Sequence, residues 1–285
     1  MMQIVENIAE LQCVLTRWRQ AGESIAFVPT MGNLHAGHMR LVTAAHAKAA
    51  RVVVSIFVNP TQFGPGEDFE AYPRTLQADT QQLVDNAVDG LFLPSKEIMY
   101  PAGASTHITV AGLSEQYCGA SRPGHFSGVA TVVAKLFNIV QPDVALFGEK
   151  DFQQLAVIRK MVLDLNMPIA LQGVATVREA DGLAMSSRNG YLTPEQRKNA
   201  PLLYQCLCVA RDQLLAGMTD YHAISAEYTE KLNVAGFKTD YFAVCRVEDL
   251  QPAQPEDSRL VILAAAKMGK PRLIDNIRVD LPRGG

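Results

Sequence analysis

The chain of 285 residues lacks several features that would fix its class at once. No segment is rich in lysine and arginine, and 26 basic residues against 29 acidic ones leave a net charge of −3. Nucleic acid is therefore not an expected partner. The longest apolar runs, such as "LVILAAA", fall far short of the roughly 20 residues that cross a bilayer, so no membrane span is expected. The opening "MMQIVENIAELQCVLTRWRQ" carries acidic residues and no apolar signal core; it reads as an amphipathic helix. The five cysteines are scattered, and Cys206 and Cys208 have no second pair or nearby histidine to complete a zinc set. Reduced thiols and a cytoplasmic location follow as expectations.

Three chemical signatures are also missing. There is no G-x-x-x-x-G-K-[ST], no G-x-G-x-x-G after the first strand-like run, and no G-x-S-x-G. A phosphate site here has to be built from other groups, and no serine nucleophile is implied.

What is present is a globular composition, 48% hydrophobic and 19% charged. Residues 24–29 and the β-branched run 51–58 read as buried strands, and "GLFLP", "DVALFG" and "IALQGVATV" as further strands. Between them lie helical stretches: "GHMRLVTAAHAKAA", "TLQADTQQLVDNAV", "SGVATVVAKLFNIV" and "DFQQLAVIRKMVLDL". Strands alternating with helices predict an α/β fold, a Rossmann-like doubly wound parallel sheet. The pattern changes near residue 176. "TPEQRKNAPLLYQCLCVARDQLLAG" opens with a capping box of Thr193 and Gln196 and has Pro194 in its first turn. A second helix and a few strands joined by Gly/Pro turns follow, with "KMGKPR" as a hairpin turn. Residues 1–176 are expected to form the nucleotide-binding domain, and residues 177–285 a smaller α+β domain.

Ligands on a parallel sheet bind outside the carboxyl ends of its strands, so the segments leaving strands carry the candidates. "MGNLHAGH" leaves the first buried strand and enters a helix. Helix starts attract phosphate, Gly37 allows close approach, and His35 and His38 can stabilise charge on a breaking phosphorus–oxygen bond. "GEKDFQQL" follows another strand: Lys150 can meet a phosphate, Asp151 a ribose hydroxyl or a metal, and Gln154 lies one turn on. A merely charged helix start explains that segment equally well. "DGLAMSSRNGYL" offers hydroxyls and Arg188, which suit a triphosphate; it also has the composition of a domain linker. Asn59 and Gln62 are amides able to orient a small polar acid. Arg122 and His125, in "SRPGHF", could read a carboxylate.

Taken in order, "PTMGNLHAGH", "VSIFVNPTQFG", "YPRT", "SRPGHF", "FGEKDFQQL", "DGLAMSSRNGYL" and "RLIDN" resemble the pantoate–β-alanine ligase family over most of the chain. More widely, the chain is similar to the H-x-G-H nucleotidyltransferases related to class I aminoacyl-tRNA synthetases, with "MSSR" in place of their K-M-S-K-S loop. The resemblance implies ATP-dependent condensation of pantoate with β-alanine through a pantoyl-adenylate, releasing AMP and pyrophosphate. It implies ATP binding by Met31, Gly32, Asn33, Leu34, His35, Ala36, Gly37 and His38, with His38 the proton donor. Gly148, Glu149, Lys150 and Asp151 would join them, as would Val177, Met185, Ser186, Ser187 and Arg188, the second domain closing over the nucleotide. Gln62 and Gln154 would bind pantoate, with Asn59, Arg122 and His125 near the acid substrates. Mg²⁺ is expected with ATP and Asp79 as its protein ligand, although the family's second adjacent aspartate is Ala78 here. A homodimer is implied. Two rivals share part of this pattern: a plain nucleotidylyltransferase, whose acceptor pocket should be more basic, and a non-catalytic nucleotide-binding module.

Overall fold

Runs of β-branched and aromatic residues become the strands of a six-stranded parallel sheet. The computed structural model describes residues 1–282, in two compact units: Met1–Glu149 with Val157–Ala175, and Lys150–Ala156 with Thr176 onward.

In chain order the first elements are β1 (Gln3–Val5), α1 (Ile8–Gln20), β2 (Ile25–Thr30), α2 (Ala36–His46), β3 (Arg51–Ile56), α3 (Leu76–Asp85) and β4 (Gly90–Phe92). The short helices α4 (Lys96–Met99) and α5 (Cys118–Ser121) precede α6 (His125–Val140), β5 (Val144–Gly148), α7 (Phe152–Asp164) and β6 (Ala170–Val174). The sheet runs β1-β4-β3-β2-β5-β6. Val52, Val53 and Val54 on β3, and Ile25 to Val28 on β2, are fully buried, as expected of strands covered on both faces. Helix α6 buries eleven of its sixteen residues, which makes it a core helix rather than a surface one.

The strand order has one functional consequence. From β2 the chain moves outward through β3 and β4, then returns to place β5 on the other side of β2. The crevice at the carboxyl ends of β2 and β5 is the switch point where such sheets bind ligands.

The amino-terminal stretch is not one helix. Residues 3–5 pair with β4, and Asn7 caps α1 by accepting the Glu10 N–H at 2.9 Å. A three-residue edge strand is too short to show a period of two.

The later elements are α8 (Pro194–Asn199), α9 (Leu202–Leu215), α10 (Tyr221–Val234), and an antiparallel sheet of β7 (Lys238–Arg246), β8 (Arg259–Lys267) and β9 (Arg272–Asp280). The Thr193–Gln196 capping box forms. Pro201 splits the expected long helix into α8 and α9, because it has no N–H for the ladder and its ring clashes with the preceding turn. Leu203, Leu207, Ile224, Tyr228 and Leu232 pack with Leu260 and Ile262 of β8 in one core. The β8–β9 connection holds "KMGKPR" as a hairpin turn, closed by the Met268 N–H to Pro271 O.

Candidate active site

The segment after β2 is held by side chains rather than by secondary structure. Thr30 Oγ1 donates to Ser55 O at 2.8 Å and accepts the Gly32 N–H at 3.2 Å. Asn33 adopts a left-handed φ of 51°. Asp79 then takes two successive amides: Asn33 N–H on Oδ2 and Leu34 N–H on Oδ1, both at 2.8 Å. Thr75 Oγ1 adds a third bond at 3.0 Å. Asp79 is 1% exposed, so its carboxylate fixes the loop.

His35 caps α2. Its Nδ1 accepts the Gly37 N–H at 3.1 Å, while His38 Nδ1 accepts the His35 N–H at 3.2 Å. This is a reciprocal capping box with imidazoles in both roles. An Nδ1 that accepts a hydrogen bond carries no proton, so each neutral ring holds its proton on Nε2. The ring centroids are 4.1 Å apart. A Cβ on residue 37 would lie 2.8 Å from the His35 ring, so the space that Gly37 opens is filled by His35. Of the phosphate donors expected from the sequence, the helix-start amides and the two imidazoles, the structure commits the Gly37 N–H to His35.

Beyond β3, Asn59 is 1% exposed and spent within the protein. Its Nδ2 donates to Gln62 Oε1 at 3.1 Å and Gly128 O at 3.2 Å; its Oδ1 accepts from Thr61 Oγ1 and Tyr100 OH, each at 2.9 Å. It orients Gln62, whose Nε2 lies 3.2 Å from Met31 Sδ. A Cβ at Gly128 would meet Thr61 O at 2.3 Å, so only glycine lets α6 pass this close under the turn Pro60–Gln62.

Arg122 and His125 lie together behind Gln62. Arg122 forks onto Glu67, both contacts at 2.6 Å. His125 Nδ1 donates to Gln62 O at 2.8 Å, leaving Nε2 to accept from Arg122 Nη1 at 3.0 Å. The cation expected to read an acid is thus paired to a carboxylate of its own unit. Burial, the largest influence on Glu67, would raise its pKa; the hydrogen bonds and charge of Arg122 outweigh it and hold the carboxyl below its usual range.

A depressed folded-state pKa means that the contribution of this pair is complete above about pH 5 and is lost as pH falls through the depressed value. Glu67→Gln should therefore melt lower than the wild type near pH 7, and the gap should narrow as pH falls below the ordinary glutamate range. A gap independent of pH in thermal melts would contradict the pairing.

In the second unit, Lys150 Nζ lies 3.8 Å from Asp151 Oδ2, and Gln154 is half-buried on the first turn of α7. The chain then forms a hairpin over residues 177–185: Met185 N–H to Val177 O at 2.9 Å, Glu179 N–H to Leu183 O at 2.8 Å, and an Arg178–Ala184 bridge. Ser186 follows directly and caps a 3₁₀ turn, Ser187–Tyr191, its Oγ accepting the Arg188 N–H at 3.2 Å. A small cleft is lined by Lys150, Ser186, Asn189, Tyr204 and Asp275. Two segments read separately in the sequence, at 150 and at 186, therefore share one cleft.

Glu67, Tyr100, Gly128, Arg178 and Asp275 escaped the sequence reading. Gly128 and Asp275 lay in quoted segments, "SGVATVVAKLFNIV" and "RLIDN", and nothing local marks the partners of the others. Among the described residues no group of three or more His, Cys, Asp or Glu stands together as a metal site, and no helix is long and apolar enough to cross a membrane. A further cavity of about 400 Å³, at the amino ends of the strands, is lined by Met2, Trp18, Arg51 and Val88 and holds none of the predicted residues.

A family described as pantoate-beta-alanine ligase matches residues 3–278. The pantothenate synthetase of Methylococcus capsulatus is 56% identical over 282 residues, 98% of this chain and 99% of that one. The crystal structure of pantothenate synthetase from Thermus thermophilus superposes with a TM-score of 0.92 at 47% identity, covering 99% of this chain and all of that one. The pantoate-beta-alanine ligase of Francisella tularensis, solved with beta-gamma ATP and beta-alanine, gives 0.83 at 37% identity, covering 97% of each chain.

Proposed function

The chain belongs to the pantoate–β-alanine ligase family, and from that premise we propose that it makes pantothenate in two steps. A pantoate carboxylate oxygen attacks the α-phosphorus of ATP, forming pantoyl-adenylate and expelling pyrophosphate. The amine of β-alanine then attacks the acyl carbon, the acyl–oxygen bond breaks, and AMP leaves with both electrons of that bond. The carboxylate is a poor electrophile until AMP makes its oxygen a good leaving group, so no side-chain nucleophile is required. Catalysis is then positioning and charge stabilisation around the phosphoryl group.

The observation that carries this reading is the interlocked pair His35 and His38. With both Nδ1 atoms accepting backbone N–H groups, each neutral ring donates from Nε2, and the two side chains act as one preorganised donor set for phosphate oxygens. His38 serves as the proton donor. Gly148 and Asp151 hold the ribose; Lys150, Ser186, Ser187 and Arg188 bind phosphate oxygens; Val177 and Met185 border the nucleotide. Gln62 and Gln154 bind pantoate by their amides. Asn59, Arg122 and His125 act through Gln62, since their own polar atoms are bonded to neighbours. Mg²⁺ would accompany ATP and offset the charge of its phosphates. Asp79 has three hydrogen bonds from the protein already and fits a loop anchor better than a metal ligand.

The test is product analysis with pantoate, β-alanine and MgATP. Pantothenate and AMP should appear one for one, and neither should accumulate when either acid is omitted. ADP in place of AMP would contradict the adenylate route.

A further inference from the structure

Arg178 carries none of the roles assigned above, yet it is one of the most tightly held side chains of the second unit. Its guanidinium forks onto Asp275 of β9, Nη1 to Oδ2 at 2.6 Å and Nη2 to Oδ1 at 3.0 Å. The Asp275 side chain is 2% exposed. The guanidinium carbon lies 3.4 Å from the centre of the Tyr204 ring, and Nη1 also donates to Gly182 O at 3.1 Å. A planar cation held along one edge by a carboxylate and across one face by an aromatic ring has little freedom to rotate or slide.

Arg178 begins the hairpin, paired with Ala184, and Ser186 is two residues beyond that pair. Fixing Arg178 therefore fixes the origin of the 186–188 turn. The next residue of β9 reaches the other segment: Asn276 Nδ2 donates to Lys150 O at 3.0 Å, and Asp275 Oδ1 accepts the Asn276 N–H at 2.8 Å. Lys270, in the turn before β9, lies 4.8 Å over the Tyr191 ring at the far end of the same 3₁₀ turn. One strand and its turn thus touch Lys150, the hairpin that leads into the serine–arginine segment, and Tyr191 at that segment's end.

We propose that Asp275 is a positioning residue: through Arg178 on one side and Asn276 on the other, β9 sets the distance between Lys150 and residues 186–188, and so the fit of the nucleotide phosphates. This rests on the phosphate-binding roles given above. Neither Asp275 nor Arg178 needs to touch the reactants. Arg178, held between Asp275 and the Tyr204 ring, gives the hairpin a single seat, and misplacement by about 1 Å costs up to ~10²-fold in rate.

The experiment compares Asp275→Asn and Arg178→Lys with the wild type. Lysine keeps the charge but loses the fork and the stacking plane. Steady-state constants for all three substrates are measured, with the dissociation constant of α,β-methylene-ATP and the melting temperature. The expected result is a fall of about 10²-fold in kcat/KM for ATP and weaker binding of the analogue, with KM for pantoate and β-alanine little changed. A purely structural role would lower the melting temperature and leave that ATP-specific split absent. Folded variants with wild-type ATP constants would overturn the proposal. If both variants fail to fold, Asn276→Ala decides: it removes the bond to Lys150 O, and unchanged ATP constants there overturn it too. Analogue binding separates the two readings. A wild type that binds the analogue but forms no pantothenate refutes the ligase reading, and the variants' binding still tests the positioning role.

Discussion

Replacing His38 by alanine is expected to lower turnover about 10²–10³-fold while the protein still folds. Two effects have to be separated, because His38 both caps α2 and, in the proposed mechanism, donates to phosphate. Losing the bond from His35 N–H to His38 Nδ1 should cost about 1 kcal/mol of stability, as loss of a helix cap does. His38→Gln restores that half of the capping box, since glutamine is a customary partner at this position, but it lacks a ring Nε2–H and cannot give up a proton. The glutamine variant should therefore recover melting temperature and not turnover. Recovery of both would make His38 a cap and nothing more. Lys150→Ala is expected to lose turnover on the same scale, its Nζ being a charged donor for the phosphoryl group.

Asp79→Asn is expected to lower stability by about 3 kcal/mol and to abolish most activity with it. The carboxylate accepts three hydrogen bonds, two of them from the consecutive amides of Asn33 and Leu34. Asparagine can offer one oxygen; its NH₂ then faces a backbone N–H, and a buried donor loses its acceptor. The loop freed by this change is the one that leads into His35 and His38. The magnesium concentration giving half-maximal rate should stay at the wild-type value in whatever activity remains. A variant with unchanged melting temperature and a raised magnesium requirement would instead make Asp79 the metal ligand that the family resemblance implies.

These two residues also mark how far the sequence could be read. The H-x-G-H segment was visible because its signal is local: an apolar strand, a glycine and two histidines within eight positions. The parallel sheet was visible for the same reason, since strands buried on both faces appear as unbroken runs such as "RVVVSI". What Asp79 does was not visible, because its partners lie 45 and 46 residues earlier. The same holds for Glu67 with Arg122, 55 apart, and for Arg178 with Asp275, 97 apart. Pairing over such separations is decided by the fold, and one sequence gives no trace of it. Arg122 shows the cost: read alone it is a cation awaiting an acid, whereas the fold supplies that acid as Glu67. The split between α8 and α9 is a different kind of miss, since Pro201 stood in the sequence as a breaker and was overridden by helical spacing on either side.

The histidine pair changes the picture of the proposed phosphate site in one respect. A helix start with open amides would hold phosphate through the backbone, and side-chain substitutions would matter little. Here the imidazoles have taken backbone groups of that helix start as their own anchors, so in the proposed mechanism phosphate binding depends on the side chains, and mutation should be felt accordingly.

The central claim is that pantoate is activated as an adenylate before the amine arrives. Exchange of labelled pyrophosphate into ATP tests it most directly, with magnesium and pantoate present and β-alanine absent. The account predicts exchange that depends on pantoate and is lost in His38→Ala. Folded wild-type protein that shows no such exchange, and forms no AMP when β-alanine is added, would contradict it.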